Sequence, residues 1–466
     1  MNRWSVVTLA LCCGLISMAR GGTQTPAAWA VTGNDWHHYQ VQGSGDPVGD
    51  QGATVTLRAQ NPDPGKFGGS ITVLDAKPYR GGAIRLSTDL DTRDALQGAA
   101  IWLRADDAAN KSIAFANSQH MLVVGTLSGA HREVIIDVPT AASRIALGTF
   151  LYGNGEVAAR HLRLAVVETP ATAVVAPGVV LNAAIRIVRA NALRAGEVNW
   201  NQLEPELHAM AKDAKAPVDV YPAIRRLLAS LGDHHSSFME PWQAHQEQVT
   251  GGPSSPSSVV LKRGGIGYID MPGYRGMKAD ARRAFVAEMV GSIDKIALQA
   301  RCGWVVDLRR DTGGSMLPML SGLHPLLGDQ PLGSFRYADG HRYSFGVANR
   351  YDKVLPQGPA LEHAAVAVLL GPHTASSGEV VAVAFRGRPN TRSFGLPTAG
   401  LSTGNAVFAL PDGSMIVLTT AVDVDRTGHA YGDKLTPDHT VEAATTPDVD
   451  PTLDAAQAWL ASFCVH

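Results

Sequence analysis

The chain has 466 residues, a formal net charge of -2, 45% apolar and 18% charged residues. That length suits two or three domains with sizeable cores. The near-neutral balance, without a basic block, argues against nucleic acid or an anionic membrane surface as partner.

Residues 1–30 read as a secretory signal peptide. Arg3 gives a positive start, 6–18 an apolar run too short to span a bilayer, and Ala28-Trp29-Ala30 an A-x-A cleavage site. The expected location is secreted, periplasmic, with no membrane insertion, since no later stretch is long and apolar enough. Beyond that segment only Cys302 and Cys464 remain, and they either pair or stay as two free thiols.

Residues 31–170 are expected to form an all-β sandwich or jelly-roll domain. Short apolar or alternating runs at 54–59, 84–88, 99–104, 113–116, 133–138 and 162–167 are separated by Gly, Pro, Asp and Asn clusters. A Pro/Ala-rich linker follows at 169–178. Helical periodicity then marks a cap over 178–250. Its stripes are Leu181, Ile185 and Val188; Leu203, Leu207 and Met210; and Ile224, Leu227, Leu228 and Leu231. GGPSSPSS at 251–258 separates it from an alternating region, 259–466. There a strand at 266–269 precedes a helix bearing Phe285, Met289, Ile293 and Ile296. Buried-type strands at 304–308 and 365–370 each end in a turn, and 406–410 and 415–421 form a hairpin through Pro411-Asp412-Gly413. This order predicts an α/β sheet core.

Three segments could carry chemistry: LGDHHSSF at 231–238, DLRRDTGGSM at 307–316 and GPHTASSGE at 371–379. The last two follow buried strands, where open α/β sheets bind ligands. A serine at the entrance to a helix sits near backbone N–H groups and the positive helix end, which suits a nucleophile. The competing reading makes Thr374, Ser376 and Ser377 N-caps. Gly313-Gly314 could offer N–H groups to an oxyanion or be an ordinary strand-ending turn. His234 and His235 could be a base, a metal pair or loop residues. With no HExxH or paired CxxC, neither a metal nor a cofactor is expected.

Together these segments resemble the C-terminal-processing, or tail-specific, serine peptidases. DLRRDTGG resembles their D-L-R-x-N-x-G-G, VAVLLGPHTASSGE their strand and T-A-S-x-x-E, FGLPTAG their G-x-P-T-x-G, and GDKLTPDHTVE their late G-x-x-P-D segment. Leu401 stands where the best-known members have a base lysine. Only about twenty residues separate Glu240 from Leu261, too few for the PDZ domain of those members. Both departures agree with the PDZ-less, nisin-resistance-like branch, which uses a histidine base from its helical cap.

The resemblance implies an α/β peptidase core, a ClpP/crotonase-like sheet with helices, carrying a helical cap behind the all-β jelly-roll domain. It implies Ser376 as nucleophile and His235 as base, with Gly313 and Ser377 forming the oxyanion hole. Gly314, Asp311, Glu379 and Thr398 become substrate-binding or supporting residues. No third member of a triad is evident, because Tyr431 stands where some relatives have a glutamate. The implied substrate is peptide or unfolded protein; the rival is a non-catalytic ligand- or peptide-binding protein on the same fold. The N-terminal block resembles carbohydrate-binding modules, so a carbohydrate or protein ligand is its candidate partner.

Overall fold

The computed structural model describes residues 28–63, 65–167, 175–347, 356–442 and 449–464. The predicted signal segment up to residue 27 and residues 169–174 of the predicted linker lie outside them. The chain divides into two compact units. Of the described residues, one holds those up to 167 with 175–178 and 213–221; the other holds 179–212 and those from 222 onward.

In the first unit every strand joins one nine-stranded sheet. Two expected strands, 84–88 and 99–104, are parts of a single strand, Ala83–Asp106, 24 residues long. The Asp and Gly residues between them were expected to break the chain. Instead Asp94 and Gly98 adopt positive φ, and pairing with Val123–Asp137 shifts register at Leu90/Thr92, Thr92/Ala95 and Ala95/Ala99. Turn residues here make bulges that bend a continuous strand. Strands Phe67–Asp75 and Arg144–Tyr152 were not anticipated. The sheet nearly closes on itself, since the Tyr39 ring packs on Gly68 and its hydroxyl donates to the Gly153 carbonyl at 2.8 Å. Leu57, Ile84, Leu86, Ile101, Leu103 and Leu147 fill the interior.

The second unit is built on a six-stranded sheet ordered Ser258–Lys262, Ile266–Asp270, Gly303–Asp307, Val366–Leu370, Thr391–Gly395, His439–Thr440. All neighbours are parallel except the first pair. Its central strands read as unbroken apolar runs because both faces are covered. Trp304, Val306, Val366, Val368 and Leu370 pack with helices Ala279–Ala297 and Ser377–Phe385. Val305, Ala367 and Leu369 face Ala456 and Leu460 of helix Pro451–Leu460. A disulfide joins Cys302, at the foot of the sheet, to Cys464, 162 residues later.

A second, five-stranded sheet pairs Met415–Asp425 with Thr403–Ala409, Gly333–Tyr337 and the short strand Ser237–Met239. The last pairing anchors the histidine loop. It follows the helices Pro177–Asn191, Trp200–Met210 and Tyr221–Ala229. Among the described residues no helix is long and apolar enough to cross a membrane.

Candidate active site

The strand Val366–Leu370 ends at Gly371, and helix Ser377–Phe385 begins six residues later. The turn between them is tied down by its own residues. Thr374 Oγ1 accepts from the Gly371 N–H at 3.1 Å and donates to the Leu308 carbonyl at 2.9 Å. The Ala375 N–H donates to the Asp311 carbonyl at 3.0 Å, locking this turn to the one after Gly303–Asp307. Ser376 emerges with φ 54° and ψ -121°, a conformation a non-glycine residue adopts at a cost. It occupies the N-cap position, yet its hydroxyl does not cap the helix. Ser376 Oγ lies 2.8 Å from His235 Nε2.

His235 reaches this point because its loop is stitched to the hairpin. Asp233 Oδ1 accepts from the N–H groups of His235 and Ser236, at 3.0 and 2.8 Å, fixing a tight turn. The Thr419 N–H donates to Ser236 Oγ at 3.0 Å, and Asn405 Nδ2 to the His235 carbonyl at 3.3 Å. His235 Nδ1 lies 2.6 Å from Thr403 Oγ1. A proton on Nδ1, donated to that hydroxyl, leaves the Nε2 lone pair facing Ser376. Burial lowers the imidazole pKa and the Asp233 charge opposes the shift, so the ring is neutral at neutral pH. His234 is exposed and has positive φ, 56°.

Thr403 is the member that sequence reasoning missed; its only signal is a hydroxyl at the entry to the predicted hairpin. Tyr431 donates to Asp425 Oδ2 at 2.7 Å.

Glu379 is fully buried and organises the surroundings of Ser376. Its Oε2 accepts from the N–H groups of Ser376 at 2.9 Å and Leu401 at 2.7 Å. Its Oε1 accepts from Thr398 Oγ1 and from the Gly400 N–H at 3.1 Å. Burial raises its pKa against all these donors. Glu379 and Thr398 are thus tied into the turn around Ser376, and Leu401 contributes its backbone where a lysine was the familiar residue. Asp423 is also fully buried, with no hydrogen-bond partner for either oxygen among the described residues; burial and the Glu379 charge raise its pKa strongly.

Gly313 passes close to Ser376, and Gly314 to Tyr274. A Cβ on Gly313, at φ 92°, would lie 2.8 Å from Ser376 Cβ, and one on Gly314 would overlap the Tyr274 carbonyl. Ser377 Oγ donates to the Gly314 carbonyl at 2.6 Å. The Ser377 N–H makes no hydrogen bond among the described residues, at the positive end of its helix. The Gly313 N–H differs from expectation. It already donates to Asp311 Oδ1 at 2.9 Å, because Asp311 stands two residues before it in a tight turn. No group of three or more metal-ligating side chains occurs among the described residues.

A serine hydroxyl on an imidazole nitrogen, beside a helix N-terminus and a glycine turn, is an arrangement for acyl transfer. Residues 265–441 match the sequence model of Peptidase family S41, so the chain carries a domain of that serine peptidase family. It is 28% identical to the nisin-resistance protein of Lactococcus lactis subsp. lactis over 244 residues, 50% of this chain and 73% of that protein. A lipoprotein from Streptococcus agalactiae has the same fold at TM-score 0.52 and 22% identity, covering 64% of this chain and 99% of that one. The photosystem II D1 C-terminal processing protease aligns at TM-score 0.44 and 17% identity, covering 62% and 98%.

Proposed function

We propose that this chain is a secreted serine endopeptidase that cleaves exposed, flexible polypeptide, with Ser376 as nucleophile and His235 as general base. The observation that carries the reading is the 2.8 Å contact of Ser376 Oγ with His235 Nε2, on an imidazole held from behind by Thr403. Secretion is supported by the signal-like start and by a disulfide, which persists in oxidising compartments.

Neutral His235 takes the Ser376 proton as Oγ attacks the scissile carbonyl carbon. The carbonyl oxygen gains negative charge beside the free Ser377 N–H, with Gly313 as the candidate second donor. The C–N bond then breaks, and the Nε2 proton passes to the leaving amine. Water, deprotonated by the same nitrogen, hydrolyses the acyl-serine and returns the proton to Ser376 Oγ.

The test is fluorophosphonate labelling and cleavage of unfolded casein by wild type, Ser376→Ala and His235→Ala. Labelling and cleavage should vanish in the first variant and collapse in the second. Cleavage that survives both sinks the assignment, and a wild type inert to label and casein at every pH turns the reading to a non-catalytic peptide-binding protein.

A further inference from the structure

Of the side chains around Ser376, the carboxyl of Asp311 takes no part in the steps proposed above. It is fully buried, and its two oxygens are treated unequally. Oδ1 accepts from the Gly313 N–H at 2.9 Å, whereas Oδ2 has no hydrogen-bond partner among the described residues. Its backbone carbonyl holds Ala375, the residue before the nucleophile. Two glycines make room for the carboxyl. A Cβ on Gly378 would lie 2.8 Å from Asp311 Cγ, and one on Gly273 would lie 3.2 Å from Oδ1.

Among the described residues no cation is paired with this carboxyl. Arg309 is committed to Asp307 and Asp450, and Arg310 to Asp270. Tyr274 stands on the neighbouring segment, His235 on its loop, and His373 and Glu379 on the nucleophile turn and helix. None of them hydrogen-bonds to the Asp311 carboxyl among the described residues. Burial pushes the carboxyl up to about 7, with only the Gly313 N–H acting the other way.

The ionisation state of this group bears directly on the oxyanion. An ionised carboxylate grips an N–H donor more strongly than a neutral acid does. It would also place a buried negative charge beside the position where the carbonyl oxygen becomes negative. We propose that Asp311 is a positioning residue whose proton gates the Ser376 chemistry: neutral, it leaves the Gly313 turn able to receive an oxyanion; ionised, it withholds that donor and repels the developing charge. This rests on the serine peptidase reading, and it gives the site a pH window that closes from the alkaline side.

The experiment is the pH profile of kcat/KM on a peptide substrate for the full chain and its Asp311→Asn variant, each normalised to its own maximum. Wild type should fall roughly tenfold or more between about pH 7 and 8.5, as expected for a group titrating near 7. The Asn variant, which keeps the Oδ1 acceptor, should lose that fall and keep the acid limb set by His235. The same alkaline fall in both proteins overturns the gating alone, whereas an inert wild type overturns the peptidase reading and the gating together.

A second measurement covers an Asn variant that proves inactive: Tm against pH for Ser376→Ala with and without Asp311→Asn. Unfolded aspartate releases its proton near 3.9, while the native group retains it to about 7. The native state therefore binds more protons across that window, and stability falls as pH rises through it. The Tm of the Asp311 protein relative to the Asn protein should drop from about pH 4 to about pH 7 and then level off. A difference that stays constant overturns the proposal.

Discussion

The two units differ in the buried carboxyls that they gather. In the first, Ser70 Oγ and Thr149 Oγ1 meet at 2.9 Å, and Thr88 Oγ1 donates to the Arg160 carbonyl at 2.7 Å. Its buried carboxylate Asp106 has Arg104 beside it at 2.9 Å. In the second, Asp307 is likewise paired with Arg309, but Asp311, Glu379 and Asp423 are buried with, among the described residues, no basic side chain hydrogen-bonded to any of them. Burying a carboxyl without a cation costs stability, and such groups gather where a site needs a fixed electrostatic environment. The first unit is organised for packing, the second around one strained serine.

That contrast can be broken or sharpened, beginning with the largest effect. Ser376→Ala should lower kcat for casein-derived peptides by about 10⁴-fold or more while leaving the protein folded; kinetics with circular dichroism would show it. Leu147→Ala, in the fully buried core of the first unit, should destabilise by about 3 kcal/mol in denaturant unfolding. Because its effect is a cavity, kcat per folded molecule should stay as it was.

Glu379→Gln replaces an acceptor of N–H groups at both oxygens by an amide that must turn its own N–H toward some of them. It should cost about 2 kcal/mol of stability and depress activity with it, read by unfolding and turnover together. Thr403→Val should reduce kcat roughly 10- to 100-fold with KM little changed, since it frees the imidazole without touching substrate. The smallest effect expected is that Ser376→Gly is more stable than Ser376→Ala by about 1 kcal/mol, because glycine accepts positive φ.

His235 adds a pH test. Burial disfavours its imidazolium, so protonation should remove the base only below the ordinary value of about 6.5. The unfolded chain binds that proton more readily, so this residue's contribution to stability is present above about pH 6.5 and is lost as the pH falls through its native pKa. An acid limb of kcat/KM lying above about 6.5 would contradict the burial of this ring.

Much of this molecule follows from local pattern. The apolar run VAVLL with a small-residue turn after it specifies a strand covered on both faces and a helix entrance, and Ser376 sits there. The stripe Phe285, Met289, Ile293 specifies the helix that covers one face of the sheet. The turn at Pro411-Asp412-Gly413 specifies the hairpin. These are properties of periods of two and of three to four residues, carried by the residues themselves.

Other features were decided only by the tertiary structure, because they depend on which distant backbones share a register. Thr403 finds His235 across 168 residues because Ser237–Met239 pairs with Met415–Ile416–Val417 and sets the loop above the hairpin. The pairing of Cys302 with Cys464 depends on the last helix lying against the sheet. The sequence D-T-G-G suggests a turn but not that Asp311 is enclosed and holds the Gly313 N–H. Whether a polar group is desolvated depends on the neighbours that long-range packing brings around it, which a local pattern does not encode.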